Sequence, residues 1–160
     1  MENLLNKEAV KRVKEFITNF DNKLNILVLE TTARTAKDAA NSLKCELGAI
    51  VKSLVFRTDN NFLICLVAGD KRCSLNKLKK ILNQKDVSMA NANQVKENTG
   101  FSIGGVSPVG HLKKLNIFVD KSLNRFKYVY GAAGHPDCVF KITYENLIKI
   151  TSGLENEIIE

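Results

Sequence analysis

The spacing of apolar and polar positions predicts three elements near the start of the chain. Between Glu8 and Phe20, apolar residues recur every three or four positions with lysines opposite them, which predicts an amphipathic helix. The short apolar run at residues 25–30 predicts a strand. Thr35 and Asp38 have the spacing of a capping box, so a second helix is expected to start there and to run to about Cys45.

The middle of the chain predicts a β-hairpin. Residues 49–57 and 61–68 read as two strands, and Thr58-Asp59-Asn60 lies between them. Asp and Asn tolerate turn conformations, so this tripeptide is a suitable connection. Residue 52, a lysine, is the one charged position inside an otherwise apolar stretch of the first strand.

Helices and strands also alternate irregularly in the second half of the chain. Residues 74–82 predict a helix whose four apolar side chains face inward: Leu75, Leu78, Ile81 and Leu82. A short helix follows at 91–97, with Asn91 and Gln94 in capping positions. The remaining predicted elements are strands at 115–119, 127–132 and 138–142, a glycine-flanked turn at 134–136 and a helix at 143–150. This mixed order predicts an antiparallel-rich α+β domain, and the absence of GxGxxG and GxxxxGK[ST] argues against dinucleotide and P-loop nucleotide binding.

Composition narrows the class of protein and its compartment. The 160 residues suit one domain, and 44% apolar with 26% charged residues is typical of a globular protein. The apolar run at 62–68 is too short to span a bilayer, and the charged N-terminus is unlike a secretory signal, so we expect a cytoplasmic protein without a membrane partner. The four cysteines form no CxxC pair, and we interpret them as reduced thiols that bind no metal.

The chain carries a formal charge of +7, from 24 basic and 17 acidic residues. A basic protein is compatible with a polyanionic partner such as RNA, because phosphate contacts supply most non-specific affinity. A lysine-rich surface that is simply solvated explains the same charge. Charge alone leaves both readings open.

Lys52 has two interpretations. On a strand it shares a face with Ile50, Leu54 and Phe56, where an ammonium must find a partner, reach water or lose its proton. It is either an edge-strand lysine that extends to water and blocks aggregation, or a lysine that points into a pocket and holds a phosphate or a developing oxyanion.

A glycine-rich stretch, GFSIGGVSPVG at residues 100–110, is the second candidate for chemistry. Glycine lets a backbone approach a ligand closely, although such a stretch is also typical of a tight connection. The two histidines, His111 and His135, each lie beside a glycine. Either is a solvated loop residue or, near Lys52, a group that orients water or a carbonyl.

These segments together resemble a known family. TARTAKDAANSLKCELGAIVKSLVF, FLICLVAGDKRCSLNKLKKIL, TGFSIGGVSPVGH, VDKSL and GAAGHPDCVFKIT are similar to the YbaK / prolyl-tRNA-synthetase-associated editing domains. The resemblance covers about residues 31–153 and leaves 1–24 as an N-terminal helical extension of one domain at 1–160. It implies a compact, mixed and partly barrel-like sheet with surrounding helices.

The resemblance also implies a function, namely a freestanding deacylase that needs no cofactor. Such an enzyme hydrolyses the ester between a wrong amino acid and the 3′-terminal adenosine of tRNA, because a synthetase pocket discriminates poorly between similar amino acids. The implied partners are mischarged tRNA and, as a further candidate, a synthetase, but not DNA. The alternative is a non-catalytic module that binds tRNA or a synthetase and keeps a vestigial pocket.

The family's site residues map onto the motifs quoted above. Lys52 matches the signature lysine, which binds the terminal phosphate or polarises the ester, and Gly104 and Pro108 match the GxxxP loop that lines the aminoacyl pocket. Some relatives carry a basic turn where this chain has Gly134-His135-Pro136-Asp137, so we expect His135 or Asp137 to take part instead. The expected catalytic residues are Lys52, Gly104, Gly105, Pro108 and His135. The expected substrate-binding residues are Thr32, Ser53, Ser107, Gly134 and Asp137.

Overall fold

The computed structural model describes residues 3–160, so Met1 and Glu2, the first residues of the predicted extension, lie outside the described residues. The helices in this range are α1 Glu8–Phe20, α2 Ala36–Leu43, α3 Leu75–Leu82, α4 Ala92–Thr99 and α5 Tyr144–Thr151. The strands are β1 Ile26–Val28, β2 Ile50–Arg57, β3 Phe62–Ala68, β4 Ser88–Met89, β5 Asn116–Asp120, β6 Tyr128–His135, β7 Cys138–Thr143 and β8 Leu154–Asn156.

The strands form a single mixed sheet in the order β1-β7-β6-β2-β3-β5-β8, with β4 also paired to β2. The pairs β1/β7, β7/β6, β2/β3 and β2/β4 are antiparallel, whereas β2/β6, β3/β5 and β5/β8 are parallel. This confirms the predicted α+β class and its mixed, antiparallel-rich sheet. The short strands β4 and β8 were not predicted, because two or three residues carry no readable alternation.

Side-chain caps begin most of the helices as their sequences predict. Asn91 and Gln94 form a complete capping box at α4. Thr35 accepts a hydrogen bond from the Asp38 backbone N–H at 3.1 Å, but the Asp38 carboxylate accepts from the N–H of Arg34 instead of the cap residue. The prediction of a reciprocal capping box at α2 is therefore wrong, because the carboxylate binds the N–H one residue before the cap. Helix α2 also ends at Leu43, before the predicted Cys45.

The helices cover both faces of the sheet. Helix α1 buries Val10, Val13 and Ile17 completely in the main core, and α5 adds Leu147 to it. On the opposite face, α3 packs Leu78 into a smaller cluster. The prediction that all four apolar side chains of α3 face inward is wrong: Leu75 and Ile81 are 39% and 40% exposed. A two-turn helix places one row of side chains against the sheet, and these two residues lie outside that row.

The hairpin of β6 and β7 is tighter than predicted. Strand β6 continues to His135, which pairs with Cys138, so Pro136 and Asp137 alone form the turn. The predicted turn at 134–136 is therefore displaced toward Asp137. Gly134 has a φ of +88°, which a residue with a side chain adopts only at a cost, and it lies within the register shift between Ala132 and His135.

An opening in the sheet separates β2 from β6. These parallel strands pair only at Ile50↔Tyr130 and Val51↔Gly131. Farther along β2, Phe56 and Arg57 pair with β4. Residues 52–54 lie between these two contacts, on the side of β2 that faces away from β3. The sheet therefore leaves a gap beside Lys52.

Candidate active site

A cavity of about 650 Å³ lies beside this gap, within the size range of small-molecule sites. Its walls are β2, the segment at 32–36, the loop at 103–106 and the tip of the β6–β7 hairpin. The polar residues among those that line it are Thr32, Arg34, Thr35, Lys52, Ser53, Tyr130, His135 and Asp137. Most of the other lining residues are aliphatic, so the cavity suits a ligand with an apolar part and a few polar groups.

Lys52 is among the lining residues, and its side chain reaches the turn that follows β3. Its ammonium donates a hydrogen bond to the backbone carbonyl of Lys71 at 2.5 Å, and burial lowers its pKa. The nearby Asp70 opposes this shift, but the Asp70 carboxylate is itself bound by both terminal nitrogens of Arg125. β2 is an interior strand of the sheet, and Lys52 lies beside the gap between β2 and β6 and not at an outer edge.

His135 and Asp137 are held in fixed orientations at the hairpin tip. His135 Nδ1 accepts a hydrogen bond from the Asp137 N–H at 3.0 Å, so the neutral ring carries its proton on Nε2. The Asp137 carboxylate accepts a hydrogen bond from the Ala33 N–H at 2.8 Å, and the Asp137 backbone carbonyl accepts one from the Leu29 N–H. The hairpin is thereby joined to the segment at 29–33, which forms the neighbouring wall.

Gly104 and Gly105 hold different positions in the glycine-rich loop. Gly104 lines the cavity with a φ of +95°. Gly105 packs on the hairpin backbone, where a Cβ would lie 3.0 Å from the His135 nitrogen. The Gly105 carbonyl also accepts from the Gly134 N–H at 3.1 Å. Gly105 therefore allows close contact between the loop and β6, and Gly104 presents backbone to the cavity.

Ser107, Pro108 and Gly134 lie behind the cavity and are not among its lining residues. The Ser107 hydroxyl accepts from the Val109 N–H, and its carbonyl accepts from His111 Nε2 at 2.6 Å. A Cβ on Gly131 would lie 2.9 Å from Pro108 Cγ, so the proline packs directly on β6. These residues support the loop from behind.

The structure thus brings six of the ten predicted site residues to one cavity: Thr32, Lys52, Ser53, Gly104, His135 and Asp137. The other four, Gly105, Ser107, Pro108 and Gly134, form the layer beneath it. Within the described residues, the Ser53 hydroxyl is buried and has no hydrogen-bond partner.

Sequence reasoning missed several wall residues. Tyr130 and Ala132 both line the cavity, and their period-two spacing on a predicted strand was a usable signal. Met89 and Ile103, which are 54% and 63% exposed, also line the cavity. Met89 belongs to the two-residue strand β4, whose position depends on pairing with β2, so no local pattern marks it.

Among residues 3–160, no group of three or more His, Cys, Asp or Glu side chains is placed to hold a metal ion. No helix in the same range is long and apolar enough to cross a membrane.

The α+β sheet is thus split beside a lysine, and a glycine loop and a hairpin close the cavity. A family model of the aminoacyl-tRNA editing domain matches residues 30–150, and the chain belongs to this family. A solved structure of a proposed trans-editing enzyme for prolyl tRNA synthetase is 33% identical, with a TM-score of 0.91. The match covers 96% of this chain and 98% of that one.

Curated proteins are also similar to this chain. The uncharacterized protein YwhH of Bacillus subtilis is 31% identical over 140 residues, which is 87% of this chain and 88% of YwhH. The proline–tRNA ligase of Caldicellulosiruptor saccharolyticus is 29% identical over 128 residues, 79% of this chain. The matched region spans 20% of that ligase, so the similarity concerns one part of a much longer enzyme.

Proposed function

We propose that this chain is a freestanding deacylase, one domain spanning residues 1–160, that removes wrong amino acids from tRNA in the cytoplasm. The cavity carries the proposal, because it combines an aliphatic lining with one half-buried ammonium, an oriented imidazole and a glycine backbone. These are the groups needed to hold an aminoacyl ester and to stabilise charge on its carbonyl oxygen. Family membership and the trans-editing relative support the same reaction.

The reaction is an ester hydrolysis. A water oxygen attacks the ester carbonyl carbon, and the bond from that carbon to the ribose oxygen breaks. The attacking water loses a proton and the ribose oxygen gains one, so the products are a free amino acid and a tRNA with a free terminal hydroxyl. Positioning of the ester and electrostatic stabilisation of its carbonyl oxygen supply the rate enhancement.

Each polar group of the cavity has a role in this proposal. Lys52 binds the phosphate of the terminal nucleotide or polarises the ester carbonyl, exchanging its bond to Lys71 for one to the substrate. His135 directs its Nε2 hydrogen toward the carbonyl or the attacking water. Gly104 forms the wall against the aminoacyl side chain, where a Cβ would enter space near Pro136.

The substrate is a mischarged tRNA, and the relatives among proline–tRNA ligases favour tRNA that prolyl-tRNA synthetase has charged wrongly. The formal charge of +7 suits the phosphate backbone of that partner. A synthetase is a second candidate partner. A freestanding hydrolase would act after release of the wrong product, as a second sieve for amino acids that one pocket cannot separate.

A non-catalytic binding module is the second candidate function. One observation favours it, namely that the Lys52 ammonium is already occupied by a backbone carbonyl. Such a module would bind tRNA or a synthetase and leave the ester intact.

In the deciding experiment, the purified protein is incubated with proline-specific tRNA that carries alanine, serine, cysteine, threonine or proline. The amount of intact ester is followed over time. Correctly charged prolyl-tRNA is the control, because an editing enzyme must spare it. Selective loss of one wrong ester supports the deacylase. Binding of every tRNA without loss of any ester would contradict it and favour the binding module.

A further inference from the structure

Helix α1 contacts the glycine-rich loop through one arginine, although α1 lies outside the residues 30–150 that the family model matches. Arg12 Nε donates to the Gly110 carbonyl at 2.6 Å, and its Nη2 donates to the Thr99 carbonyl at 3.4 Å. Thr99 is the residue before the loop and Gly110 is its last residue. One guanidinium therefore connects the two ends of the segment that carries Gly104.

The surroundings of Arg12 match a planar guanidinium. Its central carbon lies 4.6 Å from the centre of the Phe101 ring, and His111 contacts the same ring edge-on. Gly100 makes room for it, since a Cβ there would lie 2.5 Å from Arg12 Nη2. A lysine cannot reproduce this arrangement, because its ammonium lacks the planar surface and the fixed, forked donor geometry of a guanidinium.

Helix α1 supports the other wall of the cavity as well. A Cβ on Gly134 would lie 2.8 Å from the backbone of Ala9, so the end of β6 packs directly against the helix. Gly134 also donates to the carbonyl of Gly105. The loop and the strand that ends at His135 therefore rest on the same helix, which is anchored by buried valines and an isoleucine.

We infer that Arg12 is a positioning residue for the deacylation proposed above, on which this inference rests. Arg12 does not line the cavity, so it acts through the loop. By holding Gly110 and Thr99 together, it keeps Gly104 at the cavity wall and fixes its position relative to His135. On this view, the N-terminal helix is part of the functional unit and not an accessory extension.

The test compares Arg12→Gln and Arg12→Lys with the matched control Glu8→Gln. Glu8 accepts from Arg12 Nη1 at 3.0 Å and its side chain is 85% exposed, so the control removes the ion pair but keeps both bonds to the loop. Arg12→Gln is expected to lower kcat about tenfold and to change KM less than about twofold, because loop geometry and not substrate affinity is lost. The kcat of Arg12→Lys should lie between those of Arg12→Gln and the parent protein, and the kcat of Glu8→Gln should equal that of the parent.

A second readout does not depend on activity. Hydrogen exchange of the backbone amides at residues 101–110 should be faster in Arg12→Gln, whereas exchange in β3 should stay at the parent rate. Addition of guanidinium ion at tens of millimolar should restore part of the lost kcat, and sodium chloride at the same concentration should not.

Three outcomes would overturn the inference: an unchanged kcat in Arg12→Gln, exchange that rises equally throughout the protein, or a loss of kcat that follows the melting temperature. If Arg12→Gln does not fold, the same comparison of kcat and exchange in Arg12→Lys decides. If the parent protein hydrolyses no ester, the proposed function fails. The exchange data then still show whether Arg12 holds the loop.

Discussion

Replacement of Lys52 by methionine separates its catalytic and structural roles. Methionine keeps an unbranched apolar stem of similar length, so packing in β2 is largely retained, and only the ammonium is lost. The change removes the hydrogen bond to the Lys71 carbonyl. Hydrogen bonds that involve a charged group contribute about 1.5–3 kcal/mol, and this value is an upper bound here because Lys52 is only half-buried.

Burial offsets part of that contribution. The pKa of Lys52 is lowered chiefly by desolvation, so the folded protein holds the ammonium less favourably than water does. Between this lowered pKa and the ordinary lysine value of about 10.4, the unfolded chain binds more protons than the folded one. The free energy of unfolding of the parent protein should therefore gain as pH rises through that window, relative to Lys52→Met.

The catalytic effect is measured separately from the structural one. We expect Lys52→Met to lower the deacylation rate by at least about tenfold, or about 1.4 kcal/mol of transition-state stabilisation. Ester loss from the mischarged tRNA found in the panel gives the rate, and urea unfolding gives the stability. Lys52→Arg is a useful comparison, because it keeps the charge but enlarges the head group.

Two results would refute the reasoning. Full activity in Lys52→Met would show that the ammonium is not used in the reaction. A variant that fails to fold would show that Lys52 is structural, bound to the turn after β3 and not available to a substrate.

Three other predictions test the cavity and its support. Gly104→Ala should slow turnover of the bulkier of two accepted esters more than that of the smaller one, and it should lower the free energy of unfolding by about 1 kcal/mol or more because φ is +95°. Gly105→Ala, whose Cβ would meet the His135 backbone, should slow both esters equally. The same pattern of rates in both variants would contradict this prediction. Burial lowers the pKa of His111, so the protein should lose stability as pH falls from the ordinary histidine value of about 6.5 toward that lowered pKa. The urea midpoint should fall over this pH range in the parent protein and not in His111→Gln. Parallel plots of midpoint against pH for the two proteins would disprove the prediction. Ser53→Ala removes a buried hydroxyl without a hydrogen-bond partner, so thermal melting should show equal stability or a gain of about 1 kcal/mol. A clear loss of stability would show that the hydroxyl has a partner in the folded protein. A lower deacylation rate at retained stability would show that the hydroxyl binds the substrate.

Local sequence determined most of the helices and strands. Helix α1 has the predicted bounds of Glu8–Phe20, and α4 begins at the predicted Asn91–Gln94 box. Both signals are short-range, since a helical stripe repeats within four residues and a cap acts across three. The hairpin of β2 and β3 was predictable for the same reason. The irregular order of helices and strands predicted the α+β class, which the sheet confirms.

Tertiary structure decided which of these elements meet and which atoms face the cavity. The gap beside Lys52 exists because parallel strands β2 and β6, about eighty residues apart in sequence, pair at two positions only. Asp137 binds the Ala33 N–H across 104 residues, and Arg12 binds Gly110 across 98. Local periodicity carries no information on such distant contacts, because the free energy that selects them comes from the packing of the whole chain.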